Sequence, residues 1–159
     1  VPGLPVKGFT VKEALNRAIA MEEQSHSLYT WAAGKVENLG SRRLFEELAL
    51  EEQRHKEKLQ SIRDDEAKFS EFIRSESGLV DLKVIDHLVD VELSENMSFQ
   101  EILIYAGKRE KYTFEYYDAL SKGLRDVEVK ELFKALASEE LKHKYRIEKL
   151  YDEEVLRET

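Results

Sequence analysis

The chain has 159 residues, 42% of them hydrophobic and 36% charged, with a formal charge of −8. That is enough for one domain with a real core, and the negative balance argues against nucleic acid as the main partner. No cysteine is present, which excludes disulfides, thiolate metal ligands, a cysteine-held iron–sulfur centre and a cysteine nucleophile. No apolar run approaches the length of a membrane span, and Val1-Pro2-Gly3-Leu4-Pro5 is no secretory signal. A cytoplasmic protein without a membrane partner is the expectation.

Residues 1–9 read as an irregular lead-in. Both prolines lie there, so nothing downstream must break a helix by that route. Thr10-x-x-Glu13 reads as a capping box, and a first helix is expected over about 11–36. Leu15, Ala18, Ile19, Glu22, Ser25, His26 and Tyr29 follow the 3.6-residue period on one face. Around Asn38-Leu39-Gly40-Ser41 the pattern stops. Gly40 is assigned the left-handed terminating position and Ser41 the cap of the next helix. The second helix is expected over about 42–66, with Leu44, Phe45, Leu48, Glu52, His55, Leu59 and Ile62 inward. A turn this short makes the two helices antiparallel neighbours.

From about 68 to 97 the pattern breaks, with turn chemistry at Ser75-Glu76-Ser77-Gly78. This stretch, which contains His87, reads as a crossover long enough to travel the bundle, so that the second helix pair restarts at the same end as the first. Ser98-x-x-Glu101 is a second capping box, opening a third helix expected over about 99–122 with Gly123 as its stop. Asp126 is the expected cap of a fourth helix over about 127–155, with Leu132, Phe133, Leu136, Glu140, His143, Ile147 and Leu150 inward. The fold class expected is all-α: a single domain, a four-helix bundle of two helix pairs with one long crossover.

The two pairs are a repeat. Glu52-x-x-His55 recurs 88 residues later as Glu140-x-x-His143, in matching apolar frames. The offset holds upstream without a gap, taking Glu13 to Glu101, Leu15 to Leu103, Glu22 to Glu110 and Tyr29 to Tyr117. Positions i and i+3 share a helix face, so each copy presents a carboxylate and an imidazole side by side. One such pair is ordinary in a charged helix; two in identical frames are not. With Glu22 and Glu110 on the partner helices, four Glu and two His point inward. Carboxylates in a core need compensation, and two divalent cations supply it. Glu52 and Glu140 are assigned as bridges, Glu22 and Glu110 as terminal ligands, and His55 and His143 to one metal each, as in the known di-iron and di-manganese bundles. Oxygen and imidazole donors without sulfur suit iron or manganese.

These residues resemble the ferritin-like di-iron carboxylate superfamily in its rubrerythrin-like branch, over roughly residues 10–155. Met21-Glu22-Glu23 with Tyr29, and Glu52-x-x-His55, are similar to that family's first half; Glu110 with Tyr117, and Glu140-x-x-His143, to its second. The resemblance implies two iron ions per chain, with manganese as the other metal, and an oxidoreductase of peroxidase, oxidase or ferroxidase type acting on O₂, H₂O₂ or Fe(II). It also implies catalysis by the same six residues through the metals. An iron-carrying module without turnover, or a scaffold that keeps the ligands by descent, are the other readings. Rubrerythrins proper carry a cysteine-rich rubredoxin domain that supplies electrons. Without cysteine, an external electron-donor protein is expected instead. They also carry an extra carboxylate one turn after the terminal ligand of the third helix. Thr113 stands there, which argues against fast peroxide reduction. Ferritin cages use a fifth helix after the fourth, and a 24-subunit shell is not expected.

Around the six residues, Tyr29 and Tyr117 are assigned to packing with a hydrogen-bonded hydroxyl. Glu51 and Glu139, one turn before their histidines, either hold the second imidazole N–H or stay solvated. His26 either approaches the site or is a buried or interface histidine. Trp31 and the Phe114/Tyr116 cluster are assigned to packing or to a homodimer surface.

Overall fold

The computed structural model describes residues 11–65 and 94–155. The lead-in, Thr10 of the first capping box, and nearly all of the expected crossover with His87 lie outside them. Among the described residues there are four helices: α1 (Val11–Lys35), α2 (Leu39–Asp64), α3 (Phe99–Gly123) and α4 (Val127–Glu154). The expected boundaries hold to within a few residues.

The capping chemistry is largely as the sequence states it. Ser98 Oγ accepts from the Glu101 N–H at 3.1 Å while the Glu101 carboxylate accepts from the Ser98 N–H at 3.4 Å, a reciprocal cap on the free donors of the first turn. Asp126 caps α4 by accepting from the Val129 N–H at 3.1 Å. The α1–α2 turn differs from expectation. Asn38, not Ser41, caps α2, its Oδ1 accepting from the Ser41 N–H at 3.0 Å. Gly40 is no terminator but lies in the first turn of α2. Its role is steric: a Cβ there would sit 3.2 Å from Asn38 Oδ1, tight enough to disturb the capping carboxamide.

Each hairpin, α1/α2 and α3/α4, packs closely along its length, whereas α1/α3 and α2/α4 meet chiefly through side chains. The sense in which the hairpins meet is visible in those contacts. Ala14 lies opposite Tyr116 and, farther along α1, Met21 opposite Arg109; likewise Glu22 meets Tyr117 and, farther along, Tyr29 meets Glu110. Residue number falls along α3 as it rises along α1, so the two helices are antiparallel. Glu52 opposite His143 and His55 opposite Glu140 say the same of α2 and α4. The expectation that the second pair restarts at the same end as the first is therefore corrected: α3 starts at the end where α1 finishes. Since α2 and α3 then run parallel, the end of α2 and the start of α3 lie a helix length apart, about 40 Å for 26 residues.

Two apolar clusters fill the ends of the core. One gathers Leu15, Ala18, Leu59, Ile62, Tyr116, Leu120, Phe133 and Leu136, the other Leu28, Ala32, Phe45, Leu48, Leu103, Ala106 and Ile147. Each fully buried Leu or Phe stabilises the fold by roughly 1.5–3 kcal/mol. Trp31 packs on the second cluster and Phe114 on the first. Tyr116 is fully buried, its hydroxyl donating to the Ala14 carbonyl at 2.8 Å. All three serve packing within the chain.

Candidate metal centre

Glu22, Glu52, His55, Glu110, Glu140 and His143 are all at most 3% exposed. They come together between the two apolar clusters, Glu22 from α1, Glu52 and His55 from α2, Glu110 from α3, Glu140 and His143 from α4. The helix period places each one inward. The antiparallel meeting of the hairpins places the copies face to face, with the two imidazoles stacked at 5.8 Å and 9°.

Two overlapping groups result. Glu22, Glu52, His55 and Glu140 form one, Glu52, Glu110, Glu140 and His143 the other, the donor atoms within each group lying within 4.8 Å of one another. Glu52 and Glu140 belong to both. Around His55 Nδ1 the oxygens of Glu140, Glu52 and Glu22 stand at 2.8, 3.4 and 3.6 Å. Around His143 Nδ1 those of Glu52, Glu110 and Glu140 stand at 3.0, 3.7 and 3.9 Å.

The contacts that hold the cluster are exchanged between hairpins. Tyr29 of the first donates its hydroxyl to Glu110 of the second, and Tyr117 of the second to Glu22 of the first at 2.5 Å. The Nε2 of His55 donates to Glu139, not to Glu51 one turn before it; Glu51 lies 2.9 Å from His143 Nε2. Of the two readings of this glutamate pair, the imidazole partner is the one realised, but each serves the other repeat's histidine. The cause is the two-fold relation: a residue that reaches past its own half meets the counterpart's neighbour. His26 takes no part in the six-residue cluster. Half-buried, it donates from Nδ1 to the Ala49 carbonyl at 2.9 Å, since a carbonyl can only accept.

The electrostatics are those of a site with too much negative charge for a protein interior. Burial, with the Glu52 charge behind it, pushes the Glu22 carboxyl up to about 8 against the pull of His55 and Tyr117. Burial and the Glu110, Glu52 and Glu22 charges push Glu140 well above the carboxylate range. Burial alone would raise Glu52 and lower the histidines, but their mutual contacts win. Glu52 is held below the usual range, while Glu22 and Glu52 hold His55 up to about 11, and Glu110 and Glu52 hold His143 up to about 10. Burial, then the neighbouring carboxylates, push Tyr29 and Tyr117 well above 10, so both hydroxyls stay donors at any ordinary pH.

These groups remain poorly satisfied. Glu22 Oε2, both Glu52 oxygens, Glu110 Oε2, Glu140 Oε2 and His143 Nδ1 have no hydrogen-bond partner. The last lies 3.0 Å from Glu52 without the alignment a hydrogen bond needs. Buried polar atoms left so are costly, about 1–3 kcal/mol each, and their clustering in one place is a donor set awaiting cations. Five oxygens and a nitrogen, with no sulfur, fit iron or manganese.

Sequence reasoning missed Arg109. Its guanidinium is buried and donates to the Met21 carbonyl at 3.1 Å and to Ser25 Oγ at 3.2 Å, against the turn of α1 that carries Glu22. Its place in the repeat is Met21 in the first half, and that swap of a methionine for a cation on an inward-leaning face was the available signal. Thr113 is buried, and its hydroxyl donates to the Arg109 carbonyl at 2.9 Å.

Comparison with known proteins agrees with this geometry. The family profile described as Rubrerythrin matches residues 13–86 and 101–159. A solved structure from Thermotoga maritima, named as a candidate ferritin-like diiron-carboxylate protein, superposes with a TM-score of 0.75 at 20% identity, covering 92% of this chain and 97% of that one. At that identity the likeness shows the fold. No curated protein matches the chain. No described helix is long and apolar enough to cross a membrane.

Proposed function

The chain belongs to the rubrerythrin family, and on that premise we propose that it is a di-iron carboxylate oxidoreductase acting on O₂, H₂O₂ or Fe(II). The observation that carries the reading is the pair of overlapping ligand groups that share Glu52 and Glu140. In this reading Glu22 and His55 complete one position, Glu110 and His143 the other. Two irons held there supply a two-electron couple for an oxidant.

The chain's own residues do the rest. Tyr29 and Tyr117 each keep one oxygen of an outer carboxylate occupied and leave the other buried without a hydrogen-bond partner. Glu139 takes the Nε2–H of His55, which fixes the tautomer with Nδ1 available as ligand, and Glu51 stands 2.9 Å from Nε2 of His143 for the same purpose. The apolar clusters on either side keep bulk water from the site. At the position where the family carries an extra carboxylate, Thr113 turns its hydroxyl back on its own helix. Peroxide reduction is therefore expected to be slow.

Anaerobic loading with Fe(II), elemental analysis, then exposure to O₂ or H₂O₂ with a small-molecule reductant tests the reading. Two irons per chain and repeated turnover are expected. One slow stoichiometric oxidation points to an iron carrier instead, and fewer than two irons refutes the shared-ligand site. Thr113→Glu should raise the peroxide rate; a wild-type protein already fast with peroxide would show that the missing carboxylate does not limit it.

A further inference from the structure

A cleft between α2 and α4 reaches the two histidines of the cluster. It holds about 380 Å³ and is lined by Glu51, Arg54, His55, Lys58, Glu139, Lys142, His143 and Arg146. The imidazoles form its floor, Nδ1 toward the carboxylates and Nε2 toward the cleft, where Glu139 and Glu51 meet them. Four cations form its rim. Arg54 and Lys142 are repeat counterparts, as are Lys58 and Arg146, so the rim follows the two-fold relation of the site. Arg146 is engaged with Glu47 and Glu51 at 2.5 and 3.0 Å. Among the described residues Arg54, Lys58 and Lys142 are exposed and form no ion pair. This is a positive rim on a chain of net charge −8.

What the rim serves follows from the species that the proposed reaction needs, and to that extent the inference rests on that reading. Metal cations are repelled by it. O₂ and H₂O₂ are neutral and indifferent to it. The reductant remains. The sequence holds no cysteine for a second thiolate-held redox centre, so electrons come from outside these 159 residues. A small anion is disfavoured at the floor by the Glu51 and Glu139 carboxylates, whereas an acidic protein surface meets the outward rim cations first. Charge of this kind steers association, raising encounter rates by about 10- to 1,000-fold at low salt.

We propose that the α2/α4 cleft is the docking site of an acidic one-electron redox protein, with His55 and His143 as the route by which electrons reach the cluster. The balance is simple. Each encounter oxidises the donor by one electron, and two encounters with two protons from solvent reduce one H₂O₂ to two H₂O.

The test uses reduced plant-type ferredoxin as the acidic probe and cytochrome c as a basic comparator. Binding is measured by titration to metal-free protein at low and high salt, and ferredoxin oxidation is followed with the iron-loaded protein. Ferredoxin should bind, more weakly as salt rises, and cytochrome c should not bind at the cleft. Arg54→Glu with Lys142→Glu should weaken ferredoxin binding by roughly tenfold or more, with helix content and metal stoichiometry unchanged. The same charge change at Lys12 and Lys111, on α1 and α3, should leave the affinity within about twofold, beyond the general effect of added negative charge. No ferredoxin binding, equal loss in both double variants, or binding by inorganic phosphate that excludes ferredoxin from the cleft would each overturn the docking site. If the iron-loaded protein reduces no oxidant with a small-molecule donor, the oxidoreductase reading fails, while the titration still decides the cleft.

Discussion

One residue before its outer carboxylate, the first hairpin carries Met21 and the second Arg109. Two residues after it they carry Gln24 and Tyr112, and four after it His26 and Phe114. At the cluster itself nothing differs: Glu22 and Glu110, Tyr29 and Tyr117, Glu51 and Glu139, Glu52 and Glu140, His55 and His143 all repeat. The contrast has a physical basis. In an antiparallel two-fold arrangement every cluster residue touches the other hairpin's copy, so a change in one half breaks a contact made by the other. Residues farther out meet surroundings particular to their own half. Arg109 fills the α1 side with a buried guanidinium; Arg146 secures the Glu51 that holds His143, while its counterpart Lys58 makes no ion pair among the described residues. The ligands are duplicated, and the environments are not.

The largest effect should come from the residues the halves share. Glu52→Ala with Glu140→Ala removes a ligand from both groups twice over, and the metal content after Fe(II) reconstitution should fall from two per chain to none. Retention of one metal would mean that one half holds a site alone.

Next is the stability of the metal-free protein against pH. Glu22 has its pKa raised to about 8, His55 to about 11 and His143 to about 10. Each therefore binds its proton more tightly folded than unfolded. The stability so gained is complete below the unfolded values, near 4.5 for Glu and 6.5 for His. It is lost as pH rises through the folded ones. Glu52, held low, acts in the opposite sense but only below about pH 4.5, the usual carboxylate range. From pH 5 to 9 the metal-free protein should lose stability. Metal present at a hundredfold over its Kd adds about 2.7 kcal/mol, roughly 5–10 °C in Tm for a chain of this size. Melting curves with and without metal should diverge with rising pH, and convergence would contradict the assignment.

A smaller effect is expected from the tyrosines. Tyr29→Phe and Tyr117→Phe each remove one hydrogen bond to an outer glutamate in the other hairpin, worth about 0.5–3 kcal/mol according to its charge. Loss of such a support lowers metal affinity by about 10- to 100-fold. Because the contacts are exchanged, Tyr29→Phe should weaken the Glu110/His143 position and Tyr117→Phe the Glu22/His55 position. Calorimetric titration of each variant decides this, and weakening of the same-hairpin position instead would contradict the exchange.

The smallest effect measures the asymmetry itself. The Glu22/His55 position should fill second, because Glu22 keeps its proton up to about 8 and the Arg109 guanidinium lies against its turn. Arg109→Met, which restores the repeat, should narrow the gap between the two stepwise affinities severalfold. Equal affinities in the wild type would show that the ligands alone decide.

The helices, their faces and the six clustered residues were legible in the sequence because they rest on local rules: the 3.6-residue period, the i, i+3 spacing of Glu and His, and caps such as Ser98 and Asp126. The duplication made a weak signal strong, since an 88-residue offset that holds at every cluster position has no local explanation. What stayed hidden was every feature that depends on how two correct faces meet. Spacing says that Glu51 and His55 share a face, and says nothing of whether the imidazole turns to that glutamate or to one on another helix. His26 lies one turn from Glu22 in sequence and reaches a carbonyl of α2 instead. The cationic rim was invisible among 25 lysines and arginines until the fold set four of them around one pair of imidazoles. Helix formation is decided within a few residues of each position, whereas the sense of the hairpin packing is decided by the crossover and the whole core, and it is that sense which exchanges the contacts between the halves.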